Sequence, residues 1–378
     1  MALTPQQLNR ATLARQLLLE REPLEVVDAV HRVAALQAQE PASPYVALWN
    51  RIEGFQAASL DAALADREVV KGHVMRITVH AIDAADYPAF HEAMQTTLRA
   101  ARLNDRRFTR SGLKAADADA LVPDLLAHAS SGARTGDELE AWVDERVGEL
   151  PKPSVWWALR HYAPLVRAVT GPPWSFGVKA SYHAARTKPW AGTRAEALAE
   201  LARRYLEAFG PASARDIAAF ALVNAPLVKA SVRLLLDAGS IVEVEGPAKA
   251  TLFDVPDGLL PDEDTPAPPR LLGMWDNVLL AYADRGRLTP PAYRKHVVRS
   301  NGDVLPTLLV DGQVAGVWRA VKAGIEATAF HRLSKDAWDG LAAEAASLKA
   351  LLADRDPLVY RRYWRWWASL PAGEVRVL

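Results

Sequence analysis

The chain has 378 residues, with 45 Lys and Arg against 45 Asp and Glu, and half of its residues are apolar. That length suits roughly one to three domains with sizeable cores, and a formally neutral chain can hold nucleic acid only through a local basic surface. There is no cysteine, which excludes disulfides, thiol nucleophiles, Cys-ligated zinc and iron–sulfur clusters. The N-terminal "MALTPQQLNR" has no basic-then-apolar signal pattern and no apolar run is long enough to span a bilayer, so a cytoplasmic protein without membrane contact is expected.

The elements follow from caps, periods and breakers. Thr4 and Pro5 open a helix through Leu18. Pro23 opens the next, with Val26, Val27, Val30, Val33, Ala34 and Leu36 as its buried stripe, which puts Gln37 and Gln39 at a helix end. Helices over residues 44–51 and 60–65 come next. Residues 69–82, "VVKGHVMRITVHAI", then read as two short strands turning near Gly72. Helices followed by a β-hairpin give the winged-helix order. It recurs with helices over 117–129, 136–147 and 154–166 before a turn-rich strand region at 168–183. It recurs again with helices over 194–209, 213–221 and 225–239 before a strand pair around Gly246-Pro247. In that third copy Ser213 caps and Asn224-Ala225-Pro226 punctuates. Residues 255–269 are acidic and Pro-rich, a linker. Beyond it Asp311-Gly312 is a hairpin turn between "VLPTLLV" and "QVAGVWR", a further strand lies near Gly324, and Ser334 caps a last helix. The expected fold is predominantly α with β-hairpin wings (α+β). It comprises three tandem winged-helix units (1–115, 116–192, 193–260) and a small β-sheet C-terminal region (261–378).

Catalytic signatures for phosphate loops, dinucleotides, serine hydrolases and zinc proteases are missing, and the nine histidines show no ligand spacing, so neither metal nor cofactor is expected. Basic residues cluster at Arg99, Arg102, Arg106, Arg107, Arg110 and Lys114, at Arg285, Arg287, Arg294, Lys295 and Arg299, and in "YRRYWRWW" at 360–367. Each alone reads equally as a solvated or salt-bridged face. Several together favour a phosphate-tracking surface. The aromatics of the last cluster fit a core plug better than a base-stacking platform. Gln37 and Gln39 each offer one carbonyl acceptor and an NH2 donor without ionising, so together they can hold a water or clasp a sugar or base edge. On spacing alone they are a polar helix end. Glu40 is a general base or, more simply, a surface carboxylate.

Five segments in order change the balance. "RVAALQAQEPASPYVALWNRI" is similar to the signature of the AlkZ/AlkX (YcaQ-type) winged-helix DNA glycosylases. "VMRITVHAIDAADY" is similar to that family's M-R-G-T-L-H stretch, with Ile77 where the family usually has Gly. "LLGMWDNVLLAYADRGRL", "GDVLPTLLVDGQVAGVWR" and the terminal "YRRYW" match further family segments. Gln37-Ala38-Gln39 is the Q-φ-Q form, which resembles the branch protecting producers of the crosslinking antibiotic azinomycin.

The resemblance implies a monofunctional DNA glycosylase that releases bulky N7-alkylpurines and unhooks azinomycin-type interstrand crosslinks. Its partner would be double-stranded DNA carrying alkylated or crosslinked purines, bound by a nucleoid-associated monomer. A cationic N7-alkylguanine is already a good leaving group, so placing a water at C1′ and steadying an oxocarbenium-like transition state are the remaining tasks. Gln39 is expected to hold the water and Gln37 to contact water or sugar. No lysine stands out as a Schiff-base nucleophile. Arg76, Thr78 and His80 alternate along one strand and so share a face; by resemblance they line the cleft, and otherwise they are a satisfied hydrogen-bond set behind the wing. The hairpin tip of Asp311, Gly312, Gln313 and Val314, with Trp318 and Arg319, either probes the DNA minor groove or closes the sheet. A non-catalytic tandem winged-helix transcriptional regulator is the alternative.

Overall fold

The computed structural model describes residues 2–148, 155–177, 179–371 and 373–378. The chain opens with α1 (Pro5–Arg15), where Thr4 Oγ1 accepts from Gln7 N at 3.0 Å and the Gln7 side chain returns to Thr4 N at 3.0 Å, a reciprocal cap. Next come α2 (Val26–Arg32), β1 (Leu36–Gln37), α3 (Ser43–Trp49), α4 (Ala57–Asp66), β2 (Val69–His73) and β3 (Val79–Asp83). A long α5 (Tyr87–Leu103) and short α6 (Arg106–Thr109) lead to α7 (Ala115–Ala120), α8 (Val122–Ser130), β4 (Arg134–Thr135), α9 (Gly136–Val147), α10 (Val155–Tyr162), β5 (Leu165–Ala168) and β6 (Ser181–Ala184). The third group is α11 (Arg194–Phe209), α12 (Ala214–Ala221), α13 (Ala225–Asp237), β7 (Val242–Glu245) and β8 (Thr251–Asp254). The C-terminal part holds β9 (Arg270–Leu272), α14 (Arg294–Val297), β10 (Thr307–Val310), β11 (Gln313–Val321), β12 (Gly324–Ala329), α15 (Lys335–Ala353), a 3-10 run (Arg361–Ser369) and β13 (Glu374–Val377).

This is a mixed helix-and-sheet fold rather than helices with isolated wings. The first two hairpins merge through Gly72 and Val166 into one six-stranded sheet of order β1-β3-β2-β5-β6-β4. β9 to β13 form a second, five-stranded antiparallel sheet, and β7 and β8 pair alone.

Three local expectations need correction. The second helix starts at Val26, not Pro23, and stops at Arg32. Ala34 takes φ 66°, and the buried run beyond it joins the sheet as β1. An apolar run of that length fits either a helix or a buried strand, so periodicity could not decide. The first hairpin turns at Met75–Thr78, not Gly72. Arg76 and Ile77 have φ 53° and 58°, and Thr78 N bonds Met75 O at 3.1 Å. Gly72 instead lies inside β2, where a Cβ would stand 2.8 Å from the Tyr87 ring. Third, the helix expected over 154–166 ends at Tyr162, since Pro164 cannot continue it, and Leu165 enters β5. Its expected first residue lies outside the described residues. One long helix that the sequence reading does not contain, α5, packs against both α10 and α11.

Buried ion pairs tie the parts together. Arg15 grips Asp254 at 2.6 and 2.8 Å, joining α1 to the β7–β8 ladder. Arg51, at the end of α3, grips Asp276 at 2.8 and 2.9 Å, with both side chains at most 1% exposed. Removing one member strands the other charge in a low-dielectric interior. Asp276→Ala is therefore expected to cost about 3–5 kcal/mol in chemical denaturation. A loss below about 1 kcal/mol would show that the pair does not hold the two regions together.

Candidate functional site

Gln37 sits on the edge strand β1, opposite His80 of β3. It is 4% exposed. Its amide lies against Thr78: Nε2 donates to Thr78 Oγ1 at 3.1 Å, and the hydroxyl is 3.2 Å from Gln37 Oε1. Arg76 fixes the other side. Its Nη2 reaches Asn277 Oδ1 at 2.8 Å, His80 Nε2 at 3.0 Å and Gln37 Oε1 at 3.2 Å, while Nη1 reaches Phe220 O at 3.3 Å. Asn277 Nδ2 donates in turn to Ala35 O at 2.7 Å. One guanidinium thus joins four separate segments, and the amide orientation of Gln37 follows from it, carbonyl toward the cation.

Arg76, Thr78 and His80 do meet at Gln37, but not as one strand face. Arg76 lies within the left-handed turn and Thr78 closes it, so the turn, not strand alternation, curls both back over His80. Burial pulls the Arg76 pKa down to about 9, with Arg285 adding repulsion. His80 is fully buried, and burial followed by the Arg76 charge pushes its pKa well below the ordinary 6.5. Its partners fix the neutral tautomer: Nε2 accepts from Arg76 and Nδ1 faces Thr78 O at 3.3 Å.

Gln39 is exposed, just past the end of β1, and no hydrogen bond of its side chain is found among the described residues. Glu40, next to it, is neither a free base nor a solvated carboxylate. Arg362 pairs with it and Tyr363 Oη donates at 3.1 Å. Burial raises its pKa against the pull of Arg362. Tyr360 Oη lies 3.2 Å from Ser43 Oγ. The terminal aromatic segment therefore clamps the loop that carries Gln39, as a plug would.

The other expected residues separate. Arg99 bonds Asp119 through Nε at 2.9 Å, and Arg107 bonds Asp105 through Nη2 at 3.1 Å. Arg102 and Arg107 stand over Trp157 at 5.0 and 3.9 Å; Arg106 and Arg110 are exposed. The Asp311–Gly312 tip packs on α1: Arg10 pairs with Asp311, Asn9 Nδ2 donates to Gly312 O at 2.8 Å, and Gln313 Nε2 to Arg287 O at 2.9 Å. Val314 and Trp318 are buried, the indole donating to Leu272 O at 2.9 Å, which corrects any expectation that they reach a groove. Arg319 bonds Glu326 at 2.7 and 3.0 Å. In this state the hairpin closes the sheet.

Two residues escaped the sequence reading. Asn277 follows Trp275-Asp276 in a matched segment, yet nothing local pairs it with Arg76. Lys71 is buried 4.1 Å from the Phe176 ring centroid, and burial with Arg167 lowers its pKa to about 7. His31, Asp83 and Asp86 also converge within ligand distance of one another, with Arg204 already 3.1 Å from Asp86.

A family model described as "DNA glycosylase AlkZ-like" matches residues 30–351. The chain belongs to the AlkZ-like DNA glycosylase family. As a member it is a DNA repair enzyme, a hydrolase acting on N-glycosyl bonds. The AlkZ-like chain is 25% identical over 337 residues to the Streptomyces sahachiroi "Interstrand DNA cross-link repair glycosylase", spanning 84% of itself and 88% of that relative. Its fold is similar to the solved structure of Streptomyces sahachiroi DNA glycosylase AlkZ, with a TM-score of 0.78 at 21% identity over 93% of this chain and 98% of that one. Among the described residues no helix is long and apolar enough to cross a membrane.

Because the folded protein keeps His80 neutral while the unfolded chain takes up a proton below about 6.5, its contribution is full above that pH and declines as pH falls. The slope from this residue approaches about 1.4 kcal/mol per pH unit once the pH is well below 6.5. Denaturant titrations between pH 6.5 and 5 on the wild type and His80→Gln check it, the variant being shallower; equal slopes would refute the assignment.

Proposed function

We propose that this enzyme releases bulky N7-alkylpurines and unhooks interstrand crosslinks of the azinomycin type, with Gln39 holding the attacking water and Gln37 contacting water or sugar. The observation that carries the reading is the contrast between the two amides. Gln37 is locked by Arg76 and Thr78, and Gln39, two residues away, is exposed with no side-chain hydrogen bond among the described residues. A fixed dipole is already oriented when charge develops at C1′, so it costs little reorganisation. Around Gln37 the partners are a hydroxyl and a cation, and the nearby carboxylate, Glu40, is engaged elsewhere. Such a site lacks a strong acid, which matches a base that is already cationic in DNA and, on taking the bonding electron pair, leaves neutral without further protonation.

The product is an abasic site left uncut. Lys71 is in register with Ala81 and so with Leu36, which turns its side chain to the sheet face opposite Gln37. Arg76, Thr78 and His80 are the cleft wall behind the amides. The units 1–115, 116–192 and 193–260 are winged-helix modules before the region 261–378. The reading is supported by a recurring strand order, β1-β3-β2 and β4-β6-β5, repeated by the Ala212–Phe253 bridge beside β8 and β7. The enzyme acts as a monomer on double-stranded DNA in the cytoplasm. Arg106 and Arg110, exposed beyond α5, are available to phosphates, whereas Arg99, Arg107 and Arg319 would first have to leave their carboxylates.

The test is incubation with N7-methylguanine DNA and with an azinomycin-type crosslink, followed by mass analysis of released bases. Gln37→Ala and Gln39→Ala should each lower single-turnover release by about 10²–10³-fold, as for loss of one preorganised donor, with DNA affinity nearly unchanged. Wild-type release from neither substrate would reject the substrate class. Full activity in both variants would reject the site.

A further inference from the structure

At one end of the six-stranded sheet, positive and potentially positive groups gather. β1 ends there, β3 begins there with Val79, and β2 ends there with His73. Ala38 N bonds Val79 O at 2.9 Å, and Val79 pairs with His73. His73 therefore lies two strand spacings, about 10 Å, from the residue between Gln37 and Gln39. His161, on the last turn of α10, packs against it with ring centroids 4.4 Å apart and the planes tilted by 49°. Trp157 follows at 5.4 Å from His161, with the Arg102 guanidinium 5.0 Å from its ring. The groups facing the two histidines are Arg102 from α5, Arg160 from α10 and Arg167 from β5, all cationic. Asp105, bound to Arg107, also acts on Arg102.

We propose that His73, His161, Arg102 and Arg160 form a seat for a DNA backbone phosphate at the end of the sheet, on the face opposite Gln37, which His73 shares with Lys71. Three features fit a phosphodiester. Arg102 Nε is buried without a partner among the described residues, a cost that an incoming acceptor removes. The aromatic face of Trp157 holds the guanidinium in place before binding. The two imidazoles, kept neutral by burial and by their cationic neighbours, gain a proton when an anion arrives, so binding takes up protons and tightens as pH falls. The seat rests on the proposed function for DNA as its ligand, but not on the location of catalysis.

The experiment measures affinity of the full chain for a fluorescent undamaged duplex across a salt series at pH 6 and pH 8. Arg102→Gln and His161→Gln should each weaken binding about threefold to tenfold and, together, reduce the slope of log affinity against log salt by about 0.9. Arg102→Lys should keep the slope, and Lys349→Gln, exposed on α15, should change nothing. Wild-type binding should be tighter at pH 6, and His73→Gln with His161→Gln should flatten that dependence. An unchanged salt slope in folded Arg102→Gln/His161→Gln protein, or a wild-type affinity indifferent to pH, overturns the seat. Undiminished base release by Gln37→Ala would instead overturn the catalytic assignment and leave these binding measurements standing.

Discussion

Two adjacent side chains, Asp276 and Asn277, hold the sheet edge bearing Gln37 to the C-terminal part of the chain. Asp276 neutralises Arg51 at the end of α3, and Asn277 bridges Ala35 O and Arg76. Inside a protein such bonds are strong because water does not compete, and for the same reason a missing partner is costly. The node is therefore close to all-or-none. Either both side chains are satisfied and Gln37 has one orientation, or the edge strand loses its support. The same logic holds at Arg15–Asp254, where a second buried pair fixes α1 to the third hairpin.

This framework separates the two amides by rigidity. Gln37 is clamped through Arg76 and Thr78, whereas Gln39 projects from a loop held on its far side by Glu40 and Ser43. In the proposed reaction the first supplies a dipole that does not move, and the second completes its geometry on DNA. Glu40 takes a structural part: with its carboxylate occupied by Arg362 and Tyr363, it anchors the loop rather than competing for the water's proton.

The turn that delivers Arg76 carries its own cost. Arg76 and Ile77 both hold left-handed backbone, as do Ala248 and Lys249 in the third hairpin. A side chain there costs about 1–2 kcal/mol relative to ordinary backbone. Glycine at position 77, the usual residue in the resembling family, would relieve that cost. Here Ile77 instead packs its side chain against the core, so apolar contact offsets part of the strain.

What the sequence determined by itself was local. Thr4, Thr193, Ser213 and Ser334 cap their helices through side-chain bonds to residues three positions on. Asp311-Gly312 turns as its φ preferences require, at 47° and 73°. The Q-φ-Q pattern pointed to its two glutamines within a family signature. The tertiary structure decided the rest, because those outcomes depend on partners far along the chain. Residues 33–38 suit helix or strand equally until β3 offers hydrogen bonds. Gly72 looks like a turn until Tyr87 is packed over it. The basic residues near 99–110 look alike until Asp119 and Asp105 claim Arg99 and Arg107 while Trp157 gathers Arg102. Arg76, Asn277 and Gln37 become one site only when the fold brings together chain segments that share no local pattern, since a buried hydrogen-bond network is specified by geometry and not by spacing.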